Sequence, residues 1–78
     1  MTNIAIIGSG KLGCAIADGL LESGIPPETL YLTRRKLSSL KRYGHLGVNI
    51  SSNNGLAVQQ SEVVILCVKP QKLISVIE

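Results

Sequence analysis

Phenylalanine and tryptophan are absent from this 78-residue chain, and tyrosine occurs only twice. That excludes the stacked aromatic platforms with which proteins grip single-stranded nucleic acid. It also leaves the core to Ile, Leu, Val and Ala. Charge is sparse, at 17% of residues against 45% hydrophobic, which is a globular composition and not a disordered one. No apolar run is longer than the six residues Val63 to Val68. Roughly 20 are needed to span a bilayer, so no membrane partner is expected. The first ten residues lack the basic stretch, apolar core and cleavage site of a secretory leader. Two cysteines without such a leader read as reduced thiols, and a cytoplasmic location is expected. The single histidine, His45, has no companion at metal-ligand spacing. No carboxylate pair and no Ser-His-Asp set occurs, so no catalytic residue is assigned.

What is present is an alternation of short β-branched runs and helical patterns. Asn3 to Ile7 reads as a strand buried on both faces. Residues 11–23 form a helical pattern with Leu12, Ile16, Gly19, Leu20 and Ser23 along one face, and Ser23-Gly24 with Pro26-Pro27 ends it. Thr29 to Thr33 is a second strand. Residues 36–43 make a short amphipathic helix, with Leu37 and Leu40 on one side and Lys41 and Arg42 solvated on the other. Val48 to Ile50 is a third strand. Ser52, Asn53 and Asn54 are cap candidates for a helical turn through Leu56 to Val58. Val63 to Val68 is a fourth strand that again reads as central, and Pro70 opens a further helix. Strands alternating with helices argue for a parallel sheet covered on both faces. Right-handed crossovers then give the order 3-2-1-4, the first half of a doubly wound, Rossmann-type α/β fold. Residues 1–78 are therefore expected to be one dinucleotide-binding domain, an N-terminal piece of a longer protein.

The main chemical signal is Gly8-Ser9-Gly10-Lys11-Leu12-Gly13, a G-x-G-x-x-G between a buried strand and a helix. Gly8 suits the tight turn, Gly10 the close approach of a pyrophosphate, and Gly13 close packing of helix on strand. The amides at the helix start, with its dipole, face the phosphate. Lys11 lies beside the pyrophosphate or is simply solvated. An ATPase-type phosphate loop is excluded: it needs Gly where Ala5 stands and Ser or Thr where Leu12 follows the lysine.

A second signal lies at the end of strand two. An NAD-selective site places a carboxylate there for the ribose hydroxyls, but this chain reads Thr33-Arg34-Arg35-Lys36. Guanidinium groups pair with the oxygens of a 2′-phosphate, so NADP(H) is favoured over NAD(H), with Arg34 and Arg35 as its contacts. Five of the eight basic residues fall between 34 and 42 with no acid among them, yet nucleic acid is not expected, since the cofactor accounts for the charge. A third signal is Cys67-Val68-Lys69-Pro70. Ligands in open α/β sheets sit beyond the carboxyl ends of the strands, so Val68 and Lys69 are expected to line the crevice, Lys69 being otherwise a surface lysine. Asn54 either reaches the adenine-side ribose or caps a helix. Cys14, Cys67, Tyr31 and Tyr43 read as packing residues.

The runs IAIIGSGKLGCAIADGLLESGI, LYLTRR, LGVNISSNNGLAV and SEVVILCVKPQ resemble the N-terminal domain of pyrroline-5-carboxylate reductases over essentially the whole chain. The resemblance implies reduction of the C=N bond of Δ1-pyrroline-5-carboxylate to L-proline with NAD(P)H. It implies dinucleotide contacts from Ser9 to Leu12, Thr33, Arg34, Asn54, Val68 and Lys69. It also implies a C-terminal helical domain carrying the small-molecule substrate pocket and a homo-oligomer interface. Two positions depart from the family pattern: Lys11, where an uncharged Asn or Gln is common, and Gly13, where Ala is frequent. An NADP-dependent β-hydroxyacid dehydrogenase and a non-catalytic nucleotide sensor share the same first-domain pattern.

Overall fold

The computed structural model describes residues 2–67. Four short strands, β1 (Ile4–Ile7), β2 (Leu30–Thr33), β3 (Asn49–Ser51) and β4 (Val63–Leu66), form one parallel sheet in the order β3-β2-β1-β4. Helix α1 (Lys11–Glu22) follows β1, and α3 (Asn54–Gln59) follows β3. Between β2 and β3, a 3-10 turn (Leu37–Leu40) runs into α2 (Lys41–His45). The register is unbroken: Ile6 pairs with Leu32 of β2 and with Ile65 of β4. The expected Rossmann-type α/β architecture is the one observed.

Period-two alternation along β1 divides its side chains between two cores. Ile6, with Leu30 and Leu32, packs against Ala17 of α1, Leu40 and Tyr43 around α2, and Val48. Ala5 and Ile7 face the other way, onto Ala57 of α3 and Tyr31. Helices thus cover both faces, and β1 is buried between them, as its apolar run requires.

Several local expectations need correction. β4 reads as central but is the outer strand among the described residues. Val64 and Leu66, registered beside Ala5 and Ile7, remain 39% and 48% exposed. Pro70 and the helix expected after it lie outside the described residues. Along α1 the buried line is Gly13 and Ala17, with Leu12 66% exposed and Gly19 and Ser23 on the open side. The cause is the close approach at Gly13, where a Cβ would sit 3.2 Å from Ile6 Cγ2. That contact centres the packed face on Gly13 and Ala17, while Ile16 and Leu20 of the expected face pack at its side, partly buried. The segment 36–43 is not one helix, because Ser39 donates both its amide (3.2 Å) and its hydroxyl (2.7 Å) to the Lys36 carbonyl. Serine competing for backbone in this way favours a tight turn over an α-helical start. Helix α2 then continues through Gly44 to His45, with Leu46 as its cap, and Gly47 beyond it takes a left-handed φ of 98°. The α3 cap is Asn53, whose Oδ1 accepts from Leu56 N at 3.0 Å, so Asn54 is the first helical residue and not the cap.

Arg42 is exposed, as expected, and from that position its guanidinium also helps to clamp α2 onto α1. The Tyr43 ring is fully buried. Its hydroxyl lies 2.9 Å from Asp18 Oδ1 and 3.2 Å from the Cys14 carbonyl, and it accepts from Arg42 Nη2. Arg42 also reaches Asp18 Oδ2 at 3.3 Å and stacks 4.2 Å from the Tyr43 ring centroid. The Tyr43 hydrogen bond, then Arg42, hold the Asp18 carboxyl below its ordinary value, while burial and the Asp18 contact push the Tyr43 phenol up.

A depressed folded value means that Asp18 contributes stability above the ordinary carboxylate value of 3.8. That contribution is lost as acidification passes the folded value. Tyr43→Phe should lower the unfolding free energy by about 1 kcal/mol in urea titrations at neutral pH. It should also flatten the acid-side decline, because Asp18 then titrates nearer its ordinary value. An unchanged acid limb in Tyr43→Phe would remove the clamp from the account.

Candidate functional site

Because all four strands are parallel, their carboxyl ends share one edge of the sheet. The turn Gly8–Gly10 emerges there from β1, Arg34 and Arg35 from β2, Asn53 and Asn54 from β3, and Cys67 from β4. Gly8 and Cys67, 59 positions apart in sequence, are brought to one edge of the sheet by topology alone.

The turn is tied down from below. Gly8 adopts φ 74°, a left-handed conformation that disfavours any side chain. Its amide donates to Thr33 Oγ1 at 3.2 Å, and the Ser9 amide donates to the Thr33 carbonyl at 2.7 Å. The Ser9 hydroxyl donates to the Ile6 carbonyl at 2.9 Å, and the Gly10 amide closes onto the Gly8 carbonyl at 2.7 Å. Ser9 and Thr33 are both fully buried. Both donors of Ser9 and the amide of Gly10 are therefore engaged within the protein. The resemblance implies ligand contacts from Ser9 and Thr33; in the structure their side chains are buried and bonded to Ile6 and to the Gly8 amide.

The donors that remain begin at Lys11. In α1 the first amide with a backbone acceptor is that of Cys14, on the Gly10 carbonyl at 2.9 Å. The amides of residues 11–13 precede it at the helix start, where intrahelical acceptors are lacking. Gly10, the cap residue, offers no side-chain hydrogen bond, and no acid stands in the first turn. The positive end of a 12-residue helix is thus uncompensated at this edge of the sheet. Above it there is room: a Cβ on Gly10 would meet nothing closer than the Gly8 carbonyl at 4.0 Å. The glycine there is not needed for protein packing. It leaves a space of the kind an oxygen-bearing anion fills. Gly13, by contrast, is needed for packing, with Ile6, Ser9 and Cys67 side chains at 3.2, 3.4 and 3.6 Å from its missing Cβ. Lys11 and Leu12 are exposed beside this space.

One strand over, the Arg34 amide donates to the Ser51 carbonyl at 3.2 Å, which fixes the backbone where β2 ends. Arg34, Arg35 and Lys36 are exposed there, and no acidic residue occurs between Glu28 and Glu62. Asn54 is half-buried at the same edge. Cys67 closes the opposite side: its amide donates to the Ile7 carbonyl at 2.9 Å, and burial pushes its thiol pKa up, so it stays protonated as a packing group. Val68 and Lys69, the other two expected contacts, lie outside the described residues. The feature that sequence patterning missed is the anchoring by Ser9 and Thr33. Its only trace is a hydroxyl residue at a position that the strand pattern requires to be buried.

The chain matches the family described as NADP oxidoreductase coenzyme F420-dependent over residues 3–78. It is 36% identical over 81 residues to a pyrroline-5-carboxylate reductase of Corynebacterium melassecola, covering 99% of this chain and 29% of that protein. It is 38% identical over 76 residues to the pyrroline-5-carboxylate reductase of Methanosarcina acetivorans, covering 95% of this chain and 28% of that one. A solved pyrroline-5-carboxylate reductase from Coxiella burnetii superposes with a TM-score of 0.89 at 32% identity, over 96% of this chain and 28% of its own. The chain thus spans less than a third of the length of these relatives.

The glycine geometry separates folding from binding. Gly10→Ala should leave the unfolding free energy within about 0.5 kcal/mol, since the added methyl has room. It should weaken binding of a diphosphate-containing nucleotide by about tenfold or more, read by calorimetric titration. Undiminished binding by Gly10→Ala would show that the space is not where the diphosphate sits.

Proposed function

The chain belongs to the NADP oxidoreductase coenzyme F420-dependent family, and from that premise we propose that it forms the dinucleotide-holding part of a pyrroline-5-carboxylate reductase. The observation that carries this reading is one edge of the sheet on which two anion subsites adjoin. One is the uncapped start of α1 under the Gly10 space, which suits a diphosphate. The other is the acid-free Arg34-Arg35 end of β2, which suits a phosphate on the adenosine ribose. The amides of residues 11–13 would hold the first group, and Arg34 with Arg35 the second. Asn54 would stand beside the adenosine ribose, and Val68 and Lys69 would add the further dinucleotide contacts that the resemblance implies. When bound, NADPH supplies a hydride. Given to the C=N carbon of Δ1-pyrroline-5-carboxylate, with a proton to its nitrogen, that hydride yields L-proline.

The part of this chain is to bind and orient. Rigid backbone around the turn fixes the diphosphate, and the strand-end arginines select the 2′-phosphorylated cofactor. The substrate assignment rests on the reductases that the chain resembles, two bacterial and one archaeal. A cytoplasmic location and a homo-oligomer built through the further length of those relatives belong to the same reading, and two free cysteines are in keeping with it.

NADPH should bind about tenfold or more tightly than NADH, the equivalent of roughly 1.4 kcal/mol from charge-assisted bonds to the extra phosphate. Arg34→Ala should bring the two affinities together while leaving that for NADH unchanged. Equal affinities in the unaltered chain would overturn the cofactor assignment. NADPH oxidation by the protein with hydroxyacids, and none with pyrroline-5-carboxylate, would overturn the substrate.

A further inference from the structure

We propose that Thr33 is a positioning residue for the phosphate-holding turn, acting through Gly8 and Ser9 without touching the dinucleotide. This rests on the dinucleotide reading above and adds a role to a residue beneath that site.

The β1–β2 ladder pairs Ile6 with Leu32 and then runs out, because β1 ends at Ile7 and the chain turns. Beyond it, the Thr33 carbonyl skips Gly8 and takes the Ser9 amide at 2.7 Å. The skipped Gly8 amide faces β2 and takes the Thr33 hydroxyl oxygen as its acceptor, at 3.2 Å. One residue thus satisfies two successive amides of the turn, the first with its side chain and the second with its backbone. Gly8 sits at φ 74°, a conformation with little intrinsic preference to hold itself. Thr33 suits the task because branching at Cβ leaves its side chain few rotamers, and because full burial shields the contact from water. The same burial keeps the hydroxyl from any ligand. Thr33 also precedes Arg34, whose amide is held by the Ser51 carbonyl. The strand end that presents the guanidinium is therefore bonded directly to the turn that presents the diphosphate space, and one short segment sets the spacing of both subsites.

Valine has nearly the shape of threonine and no acceptor, so Thr33→Val isolates the hydroxyl. The diphosphate is common to both nicotinamide dinucleotides, whereas the 2′-phosphate is not. In the full chain, well below the melting temperature, Thr33→Val should weaken NADPH and NADH by one common factor of about ten. Their ratio should stay as in the unaltered chain, Thr33→Ser should restore both, and the Gly8 amide should exchange its proton faster in the valine variant alone. Selective loss of NADPH would mean that Thr33 contacts the 2′-phosphate. A lower melting temperature with unchanged affinities and unchanged Gly8 exchange would mean that the residue serves folding only. Either result overturns the proposal. If Thr33→Val fails to fold, Thr33→Ser against Thr33→Ala makes the same comparison. If the unaltered chain bound neither dinucleotide, the functional reading would fall by itself, and the Gly8 exchange rate would still decide whether the hydroxyl holds the turn.

Discussion

The end of β2 builds the turn that follows β1. Two hydrogen bonds from Gly8 and Ser9 to Thr33, with a third from the Ser9 hydroxyl back to Ile6, convert a glycine-rich link into a fixed bend. Glycine lets the chain enter the left-handed conformation at Gly8 but does nothing to keep it there. What keeps it is a neighbouring strand in register, and that register is set by apolar packing some distance below. Ile6, Leu30 and Leu32 must share a face with Ala17 and Tyr43, and a slip of one residue would send them to the opposite side. The orientation of the α1 amides is therefore a consequence of the core.

The same dependence explains why the two halves of the candidate site belong together. A diphosphate subsite made of backbone amides has little selectivity of its own, since any anion of suitable size is attracted to a helix start. Under the proposed reading, selectivity enters through Arg34 and Arg35, whose side chains are exposed. Their usefulness depends on a backbone origin that does not wander. That origin lies one residue beyond Thr33 and is bonded on its other side to Ser51 of β3. Flexible guanidinium groups on a rigid base can follow a phosphate without giving up its location.

Much of this was legible from the residues. Alternating β-branched runs and helical patterns gave the strand order, because right-handed crossovers leave few choices. The G-x-G-x-x-G string and the basic run after β2 marked the edge where the site lies. Signals that depend on three-dimensional closeness were not legible. The close approach at Gly13 was legible from the motif, but its consequence, an outward-facing Leu12, is not contained in the helical periodicity. Arg42 is the exposed cation its position suggested, but its bonds to Asp18 and Tyr43, 24 residues and one residue away, were not legible. The family resemblance implies dinucleotide contacts at Ser9 and Thr33 but says nothing of how they hold the turn. Both are fully buried, and their bonds to Ile6 and Gly8 are contacts between separate segments that patterning does not contain. Asn53 and Asn54 are adjacent and chemically identical, so patterning could not decide which one caps α3.

The central claim is that the start of α1 and the end of β2 receive the two phosphate groups of a single dinucleotide. Amide chemical shifts followed during titration of the chain with NADP+ test it most directly. The account requires the resonances of Lys11, Leu12, Gly13 and Arg34 to move together along one saturation curve. It also requires the titration with NAD+ to move the first three and leave Arg34 nearly still. Shifts confined to other edges of the sheet, or an Arg34 response indifferent to the 2′-phosphate, would contradict it.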